Sequence, residues 1–336
     1  MASRNEIETY IADVISGKQV VSQLVRQAVK RHLDDLQQGH ERGLAFDPQR
    51  GIRVVAFIER FIPRTDQGHV GEQWIVEPWM SALIHILYGW YWRETGLRRF
   101  KFAYVEVSRG NMKSTLASAL ATYELITNKG ANVYSASTDR ATARVVFDTA
   151  AEMVNASAPL KSRINVLTTS LTIRATASRF LPVSSDGKSV FQASRPTFVT
   201  LDELHLHPDA KVWTAFYTAL DKVEGAWMLA ITNSGWDKHS IAWRQREYVS
   251  KVLSGIIPDD RYLGWVCGLD PEDVKTPTGW LNEANWIKAN PSLGVAHPRS
   301  TAARSPTRPA SRPVASRYSF RKGHHAGHHY PQHNSR

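Results

Sequence analysis

An alternation of short apolar segments with longer amphipathic ones between residues 100 and 253 constrains the fold more than any other feature of the chain. Apolar runs predict strands at residues 100–107, 133–136, 180–183, 198–201 and 227–232. Apolar positions at helical spacing predict helices at residues 113–128, 139–154, 211–220 and 241–253. Strands that alternate with helices of this length indicate an α/β fold with a mostly parallel sheet flanked by helices. Ligands of such sheets bind at the carboxyl ends of the strands.

The N-terminal part of the chain has a different pattern, in which apolar residues recur at helical spacing without intervening strands. This pattern covers residues 5–37 and returns at residues 52–62, ahead of Pro63. We therefore expect a helical N-terminal segment before the α/β fold.

The net charge of +11 is unevenly distributed along the chain. The last 40 residues contain eight of the 42 Lys and Arg residues and none of the 31 acidic ones, which leaves the rest of the chain nearly balanced. Composition alone therefore does not indicate a nucleic-acid-binding protein. These 40 residues also lack Leu and Ile, so their apolar surface cannot offset the entropy lost on ordering. We expect residues 297–336 to be a disordered basic tail rich in His and Pro.

Cysteine content and hydropathy predict a soluble protein of a reducing compartment. Cys267 is the single cysteine, which excludes an internal disulfide and a zinc site built on several thiolates. The first ten residues lack the apolar region of a signal peptide. The most apolar stretch, residues 74–92, is interrupted by Glu77 and Pro78, and the part beyond them is too short to span a bilayer. We expect a cytoplasmic protein with no membrane association.

A candidate phosphate-binding loop follows the first predicted strand. It consists of Ser108, Arg109, Gly110, Asn111, Met112, Lys113, Ser114 and Thr115. In a strand, loop, Lys-Ser-Thr and helix arrangement, backbone N–H groups surround the phosphates of a nucleoside triphosphate. Lys113 would reach the β- and γ-phosphates and Ser114 would ligate Mg²⁺. Val107 and Met112 replace the two glycines of the usual G-x-x-x-x-G-K-[ST] pattern, so the segment alone also fits an ordinary helix start.

Two adjacent carboxylates, Asp202 and Glu203, follow the apolar strand at residues 197–201. In a P-loop ATPase the first would hold Mg²⁺ and the second would polarise the attacking water. An acidic pair after a strand is also typical of a helix N-terminus. Because both motifs occur in the expected order, each at a strand end, they predict a P-loop NTPase-type fold that binds ATP and Mg²⁺.

A third polar segment follows the strand at residues 227–232. It comprises Thr232, Asn233, Ser234 and Gly235. In P-loop motors such a strand end senses the γ-phosphate and relays hydrolysis. Taken alone, the segment also fits an ordinary exit from a strand.

Together these segments resemble the large subunit of tailed-phage terminases, the DNA-packaging ATPases, over roughly residues 50–295. Further segments similar to that family are Glu77-Pro78-Trp79, Tyr88-Gly89-Trp90, Leu181 to Ser185, Leu204-His205 and Trp286 to Gly294. The resemblance implies a Walker A motif at Lys113–Thr115 with Arg109 as its characteristic arginine. It also implies a Walker B motif at Asp202 and Glu203 and a coupling motif at Thr232–Gly235.

The resemblance further implies ATP-driven translocation of double-stranded DNA into a procapsid, in the cytoplasm of a bacterial host. The implied partners are a small terminase subunit, a portal protein and further copies of the chain in a ring. An arginine from a neighbouring subunit would complete the ATPase site, and Arg140 and Arg144 are the candidates.

The resemblance also divides the chain into segments. We expect a helical N-terminal segment at residues 1–48, the ATPase domain at 49–265, a linker at 266–296 and the tail at 297–336. Terminase large subunits carry a nuclease domain with metal-binding carboxylates, but no Asp or Glu follows Asn290. We therefore expect ATP hydrolysis without endonuclease activity, and we interpret residues 269–277 as a solvated connection.

Three positions depart from the family pattern. Met80 stands where the family usually has a Gln that contacts adenine, and Thr142 stands in place of another Gln. Met112 places a Cβ where the backbone must approach phosphate. Two alternatives therefore stay open: a nucleotide-binding, non-hydrolysing remnant that docks on the portal or small subunit, and a helicase-like ATPase.

Overall fold

The computed structural model describes residues 4–66, 68–184, 195–235, 237–275 and 279–293. The strands in chain order are β1 Leu44–Phe46, β2 Trp90–Trp92, β3 Phe102–Glu106, β4 Asn132–Ser137, β5 Asn165–Val166, β6 Leu171–Ile173, β7 Ser178–Ser184, β8 Phe198–Leu201, β9 Trp227–Thr232 and β10 Tyr262–Val266. The helices are α1 Arg4–Ser16, α2 Gln23–Gln38, α3 Pro48–Phe61, α4 Pro78–Gly89, α5 Lys113–Thr127, α6 Arg140–Ala156, α7 Ala158–Lys161, α8 Lys211–Ala219, α9 Ile241–Leu253, α10 Pro271–Lys275 and α11 Glu283–Ala289. Short 3-10 turns connect several of these elements.

An eight-stranded sheet forms the centre of the protein, in the order β10-β3-β9-β8-β4-β7-β6-β5. The six strands from β10 to β7 are parallel, and β6 and β5 extend this sheet as antiparallel neighbours. Every residue of β3, β8, β9 and β10 is buried, as expected when helices cover both faces of a parallel sheet. The prediction of an α/β fold with a mostly parallel sheet is confirmed.

Strand β10 is not among the strands that the sequence predicts, although it pairs with β3 at the edge of the sheet. Its five residues read Tyr-Leu-Gly-Trp-Val, and glycine is unfavourable in most strands. Here glycine is required, since a Cβ on Gly264 would lie 2.1 Å from Val249 Cγ1 of α9. Close helix packing therefore explains a residue that weakens the strand pattern.

Local signals set the starts of the N-terminal helices. The helical stretch predicted at residues 5–37 is divided into α1 and α2, because Gly17 adopts φ 82° and the Ser22 hydroxyl accepts the Val25 N–H at the start of α2. The helix predicted at residues 52–62 begins earlier, at Pro48, where the Asp47 carboxylate accepts the Gln49 N–H.

A buried network of charged residues joins the N-terminal helices to the sheet. Arg99, 1% exposed, lies just before β3 and contacts Asp35 of α2 (Nη1 to Oδ2, 2.7 Å) and Asp260 (Nη2 to Oδ1, 2.6 Å). Arg42 contacts both of these carboxylates as well, and the Arg31 guanidinium donates to the Tyr262 carbonyl at the start of β10. This network fixes α2 against β10.

The segment interpreted from the sequence as a linker, residues 266–296, carries two short helices in its described part. In place of a solvated loop, Asp270 and Asp273, at the start of α10, contact Lys288 of α11 (Oδ2 to Nζ, 2.9 and 2.8 Å). Asp270 also accepts the Gln23 N–H at the start of α2 (2.7 Å). These three side chains are mostly buried, so the interpretation of residues 269–277 as a solvated connection is wrong for both aspartates.

No helix in the described part of the chain is both long and apolar enough to cross a membrane. The predicted disordered tail lies outside the described residues.

We expect the free energy of unfolding to fall as the pH drops from 6.5 towards 4, because two buried histidines are neutral. Burial lowers the pKa of His32 to about 3 and that of His85 to about 4. In the unfolded chain both rings bind a proton near pH 6.5, so acid favours unfolding. Full stability is present above pH 6.5, and each histidine removes about 1.4 kcal/mol per pH unit below it.

Urea unfolding at pH 7.5 and pH 5.5 measures this effect. His32 accepts a hydrogen bond from Trp90 Nε1 (3.0 Å), and glutamine can keep an acceptor there without titrating. The His32→Gln variant should therefore lose less stability between the two pH values than the parent does. An equal loss in both proteins would contradict the assignment of His32.

Candidate nucleotide-binding site

The three segments predicted to carry the chemistry leave the same edge of the sheet. β3, β9 and β8 are adjacent and parallel, so their carboxyl ends lie side by side. β3 leads into Ser108–Thr115, β8 leads into Asp202 and Glu203, and β9 ends at Thr232, the first residue of Thr232–Gly235. The topology therefore brings together residues that are far apart in the sequence.

Lys113 is the first residue of α5 and is 8% exposed. The loop before it passes through two left-handed residues, Gly110 at φ 86° and Met112 at φ 54°. A left-handed conformation costs a non-glycine residue roughly 1 kcal/mol, whereas glycine adopts it freely. Met112 therefore keeps a backbone conformation suited to the glycine of the usual motif, at a cost in strain.

Ser114 and Asp202 form a hydrogen-bonded pair of oxygen-bearing side chains. Ser114 Oγ donates to Asp202 Oδ2 (2.9 Å), and Asp202 Oδ1 accepts the Glu203 N–H (2.8 Å). Asp202 is 2% exposed, and burial, together with the negative charge of Glu203, raises its pKa to about 6. A nearby divalent cation would stabilise the charged form of this carboxylate.

The donor set fits Mg²⁺. This ion prefers oxygen ligands and is usually bound by one or two carboxylates together with waters and phosphate oxygens. The described residues contain no cluster of three or more His, Cys, Asp or Glu side chains arranged to hold a metal by themselves. Ser114 and Asp202 would therefore hold a Mg²⁺ ion in part, and the ion would neutralise phosphate charge there.

Glu203 is held by three neighbouring side chains. Its Oε1 contacts Lys113 Nζ (2.8 Å), while its Oε2 accepts from Asn233 Nδ2 (3.3 Å) and lies 3.2 Å from His205 Nδ1. The backbone of Glu203 is itself left-handed, at φ 50°. A strained residue fixed by three side chains has its carboxylate held in one place, as catalysis by an oriented base requires.

Thr232 connects the end of β9 to the acidic pair. Its hydroxyl accepts the His205 N–H (3.0 Å) and donates to the Asn233 carbonyl (3.0 Å). Burial lowers the pKa of His205 despite the nearby charge of Glu203. Of the predicted coupling motif, Asn233 therefore contacts Glu203 itself, and Thr232 contacts His205, two residues further along the chain.

Glu106 and Arg246, which no sequence motif singled out, form a second network at the site. Glu106 ends β3 and is 1% exposed. Its carboxylate accepts from Ser234 Oγ (2.6 Å) and Tyr104 Oη (2.8 Å), and it pairs with Arg246 Nη1 of α9 (3.1 Å). The available signal was a carboxylate inside an otherwise apolar strand, one residue before Val107.

Other singled-out residues do not take part in these contacts. Arg109 and Arg140 are exposed, whereas Arg144 pairs with Asp148 of the same helix (Nη2 to Oδ1, 2.6 Å). Thr142 contributes to the start of α6 by hydrogen bonds to Asp139. Met80 is fully buried in α4, where its side chain belongs to the hydrophobic core.

Comparison with known proteins gives a family match at residues 78–251, to the model of the terminase large subunit ATPase domain. Among solved structures, the bacteriophage HK97 large terminase matches with a TM-score of 0.61 and 20% identity, over 76% of this chain and 50% of that protein. A point mutant of the Thermus phage P74-26 large terminase ATPase domain matches with a TM-score of 0.41 and 20% identity, over 56% of this chain and 81% of that one. No curated protein sequence matches the chain.

The HK97 match shows a shared fold, and the chain spans half the length of that large terminase. The family match covers just over half of the chain and includes Lys113, Asp202, Glu203 and Thr232. The chain therefore belongs to the terminase large subunit ATPase domain family.

Proposed function

We propose that this chain hydrolyses ATP as the motor domain of a phage terminase large subunit and translocates double-stranded DNA into a procapsid. The observation that carries the proposal is the meeting of Lys113, Ser114, Asp202 and Glu203 at one edge of the sheet. These four side chains supply an ammonium, a hydroxyl and two carboxylates, which are the groups that phosphoryl transfer to water requires.

The proposed roles follow from the contacts. When bound, MgATP supplies the γ-phosphoryl group and a metal ion that neutralises its charge. Lys113 donates to the β- and γ-phosphates, while Ser114 and Asp202 hold the metal ion. Glu203 accepts a hydrogen bond from the attacking water and orients it towards phosphorus. Arg109, exposed in the loop, is proposed to contact the phosphates.

Phosphate binding competes with one ion pair. Lys113 Nζ lies 2.8 Å from Glu203 Oε1, so Lys113 must exchange this contact for a phosphate oxygen. The exchange leaves the Glu203 carboxylate in contact with Asn233 and His205 and free on the side that faced Lys113. Binding of phosphate to Lys113 would therefore also release the Glu203 carboxylate from its ion pair.

The finer parts of the proposal rest on family membership. Its partners are double-stranded DNA, a small terminase subunit, a portal protein and further copies of the chain in a ring on the procapsid, in the bacterial cytoplasm. For the arginine supplied between subunits we favour Arg140 over Arg144, because Arg140 is exposed and Arg144 pairs with Asp148. We retain 49–265 as the proposed ATPase domain, with 1–48 as the N-terminal segment, 266–296 as the linker and 297–336 as the tail.

ATP hydrolysis by the purified chain, measured as phosphate release with Mg²⁺, tests the proposal. We expect turnover that rises when double-stranded DNA is added and that disappears when Mg²⁺ is chelated. Binding of MgATP without phosphate release, with or without DNA, would favour the non-hydrolysing alternative suggested by the strained Met112. Stimulation by single-stranded but not by double-stranded DNA would favour a helicase-like ATPase.

We expect Met112→Gly to lower the dissociation constant for MgADP several-fold. Glycine removes the Cβ that crowds the backbone near phosphate and relieves roughly 1 kcal/mol of left-handed strain. Part of the stability gained by relieving this strain is lost, because the half-buried Met112 side chain no longer packs against the core. Isothermal titration calorimetry measures the change in affinity. Met112→Ala is the matched control, because it removes the same packing but keeps the Cβ, and equal affinities of the two variants would contradict the prediction.

A further inference from the structure

A segment beyond the sheet returns to the nucleotide-binding loop. Residues 289–292, which we call the strap, begin at the end of α11 and read Ala-Asn-Pro-Ser. The Ser108 N–H donates to the Ala289 carbonyl (3.4 Å), and the Ser292 N–H donates to Asn111 Oδ1 (3.0 Å). The loop and the strap are about 180 positions apart in the sequence, so the fold alone brings them into contact.

Asn111 is the side chain through which these contacts converge. It is 3% exposed and lies between the two left-handed residues Gly110 and Met112. Its Nδ2 lies within hydrogen-bond distance of the Ser108 carbonyl (2.9 Å), the Arg109 carbonyl (3.4 Å) and Asn290 Oδ1 (3.3 Å). The side-chain amide of Asn111 therefore links the backbone of the loop to the strap.

The strap is anchored at both ends to other parts of the protein. At one end Lys288 pairs with Asp270 and Asp273 of the preceding segment. At the other end Ser292, 2% exposed, accepts a hydrogen bond from Trp79 Nε1 (3.1 Å), which also donates to Glu77. Because both ends of the strap are attached to other parts of the protein, we infer that the strap restricts the position of Asn111 and does not move with it.

We propose that the strap positions the nucleotide-binding loop through Asn111, so that strap docking and nucleotide binding strengthen each other. The inference rests on the proposed function, since it assumes that this loop binds phosphate. A loop shaped in advance loses less conformational freedom on binding. By linkage, nucleotide must stabilise the docked strap by the same factor by which the strap improves nucleotide affinity. Asn111, Asn290 and Ser292 are thus positioning residues.

The test measures MgADP affinity by calorimetry for Asn290→Ala. This variant loses one acceptor for Asn111 Nδ2, and we expect about three- to tenfold weaker binding, the effect of one hydrogen bond. Asn285→Ala is the control, because it loses a comparable bond of the same segment, to the Gly279 carbonyl, and none of its hydrogen bonds reaches the loop. The control should bind MgADP as the parent does.

A double-mutant cycle separates positioning from a general structural effect. Asn111→Ala weakens binding by itself, and adding Asn290→Ala to it should weaken binding little further, because Asn290 acts through Asn111. Unchanged affinity of Asn290→Ala, or additive losses in the double variant, would overturn the inference.

Hydrogen exchange distinguishes failure of this inference from failure of the proposed function. Without nucleotide, Asn290→Ala should raise the exchange of amides 108–113, and in the parent MgADP should protect residues 289–292. If the parent fails to bind MgADP, the proposed function fails, while the first exchange measurement still tests the strap. If the parent binds MgADP and Lys113→Ala does not, the proposed nucleotide site stands. Unchanged exchange of amides 108–113 in Asn290→Ala would then overturn only the inference about the strap.

Discussion

Replacing Glu203 with glutamine is expected to reduce ATP turnover by about a hundredfold or more while leaving nucleotide binding intact. Glutamine keeps the size of the side chain and an oxygen acceptor but cannot take a proton from water. Lys113→Ala is expected to remove turnover and to weaken MgATP binding as well, since it deletes the ammonium that is proposed to contact the phosphates. The two variants therefore separate the chemical step from binding.

Turnover by phosphate release and affinity by calorimetry are both measured for each variant. Lys129→Ala is the matched control for the lysine substitution, because Lys129 is exposed just after the end of α5 and distant in sequence from the loop. It should hydrolyse ATP as the parent does. Parental turnover in Glu203→Gln would show that another group takes the proton from water, and His205, which contacts the same carboxylate, would be the next residue to examine.

Asp35→Ala is expected to lower the free energy of unfolding by about 3–5 kcal/mol, the usual cost of breaking a buried ion pair. The substitution removes one of the two carboxylates that contact the Arg99 guanidinium, which is 1% exposed. Arg42 loses the same partner. Urea unfolding followed by circular dichroism measures the change.

The adjacent residue offers a matched control. Asp34 pairs with Lys30 on the exposed face of α2, and Asp34→Ala should change stability by less than about 1 kcal/mol. The difference in unfolding free energy between the Asp35→Ala and Asp34→Ala variants isolates the contribution of burial. Similar losses in both variants would mean that α2 contributes to stability mainly through its helix propensity, and that the Arg99 network does not anchor it.

The main architecture could be predicted because its signals are local. Each strand of the central parallel group except β10 is an apolar run, and the residues of the site follow directly after three of these runs. A parallel sheet then puts their carboxyl ends at the same edge, so Lys113 could be predicted to lie at the same edge as Asp202 and Glu203. Strand and helix signals of this kind need only a few neighbouring residues.

The parts that could not be predicted depend on contacts between distant segments. Gly264 disfavours a strand locally, and only the approach of Val249 explains it. Glu106 is recognisable as a site residue only when Ser234 and Arg246 are seen around it. Asn290 resembles a loop residue in the sequence, and its contact with Asn111 follows from the path of the chain after β10.

The position of β9 determines how far apart the three candidate site segments lie. β9 is hydrogen-bonded to β3 on one side and to β8 on the other, and adjacent strands are about 4.8 Å apart. Strand β9, which ends in Thr232, therefore lies between the strand that leads into Ser108–Thr115 and the strand that leads into Asp202 and Glu203. Any coupling among the three segments would therefore act between neighbouring strands, without a chain of intermediate residues across the protein.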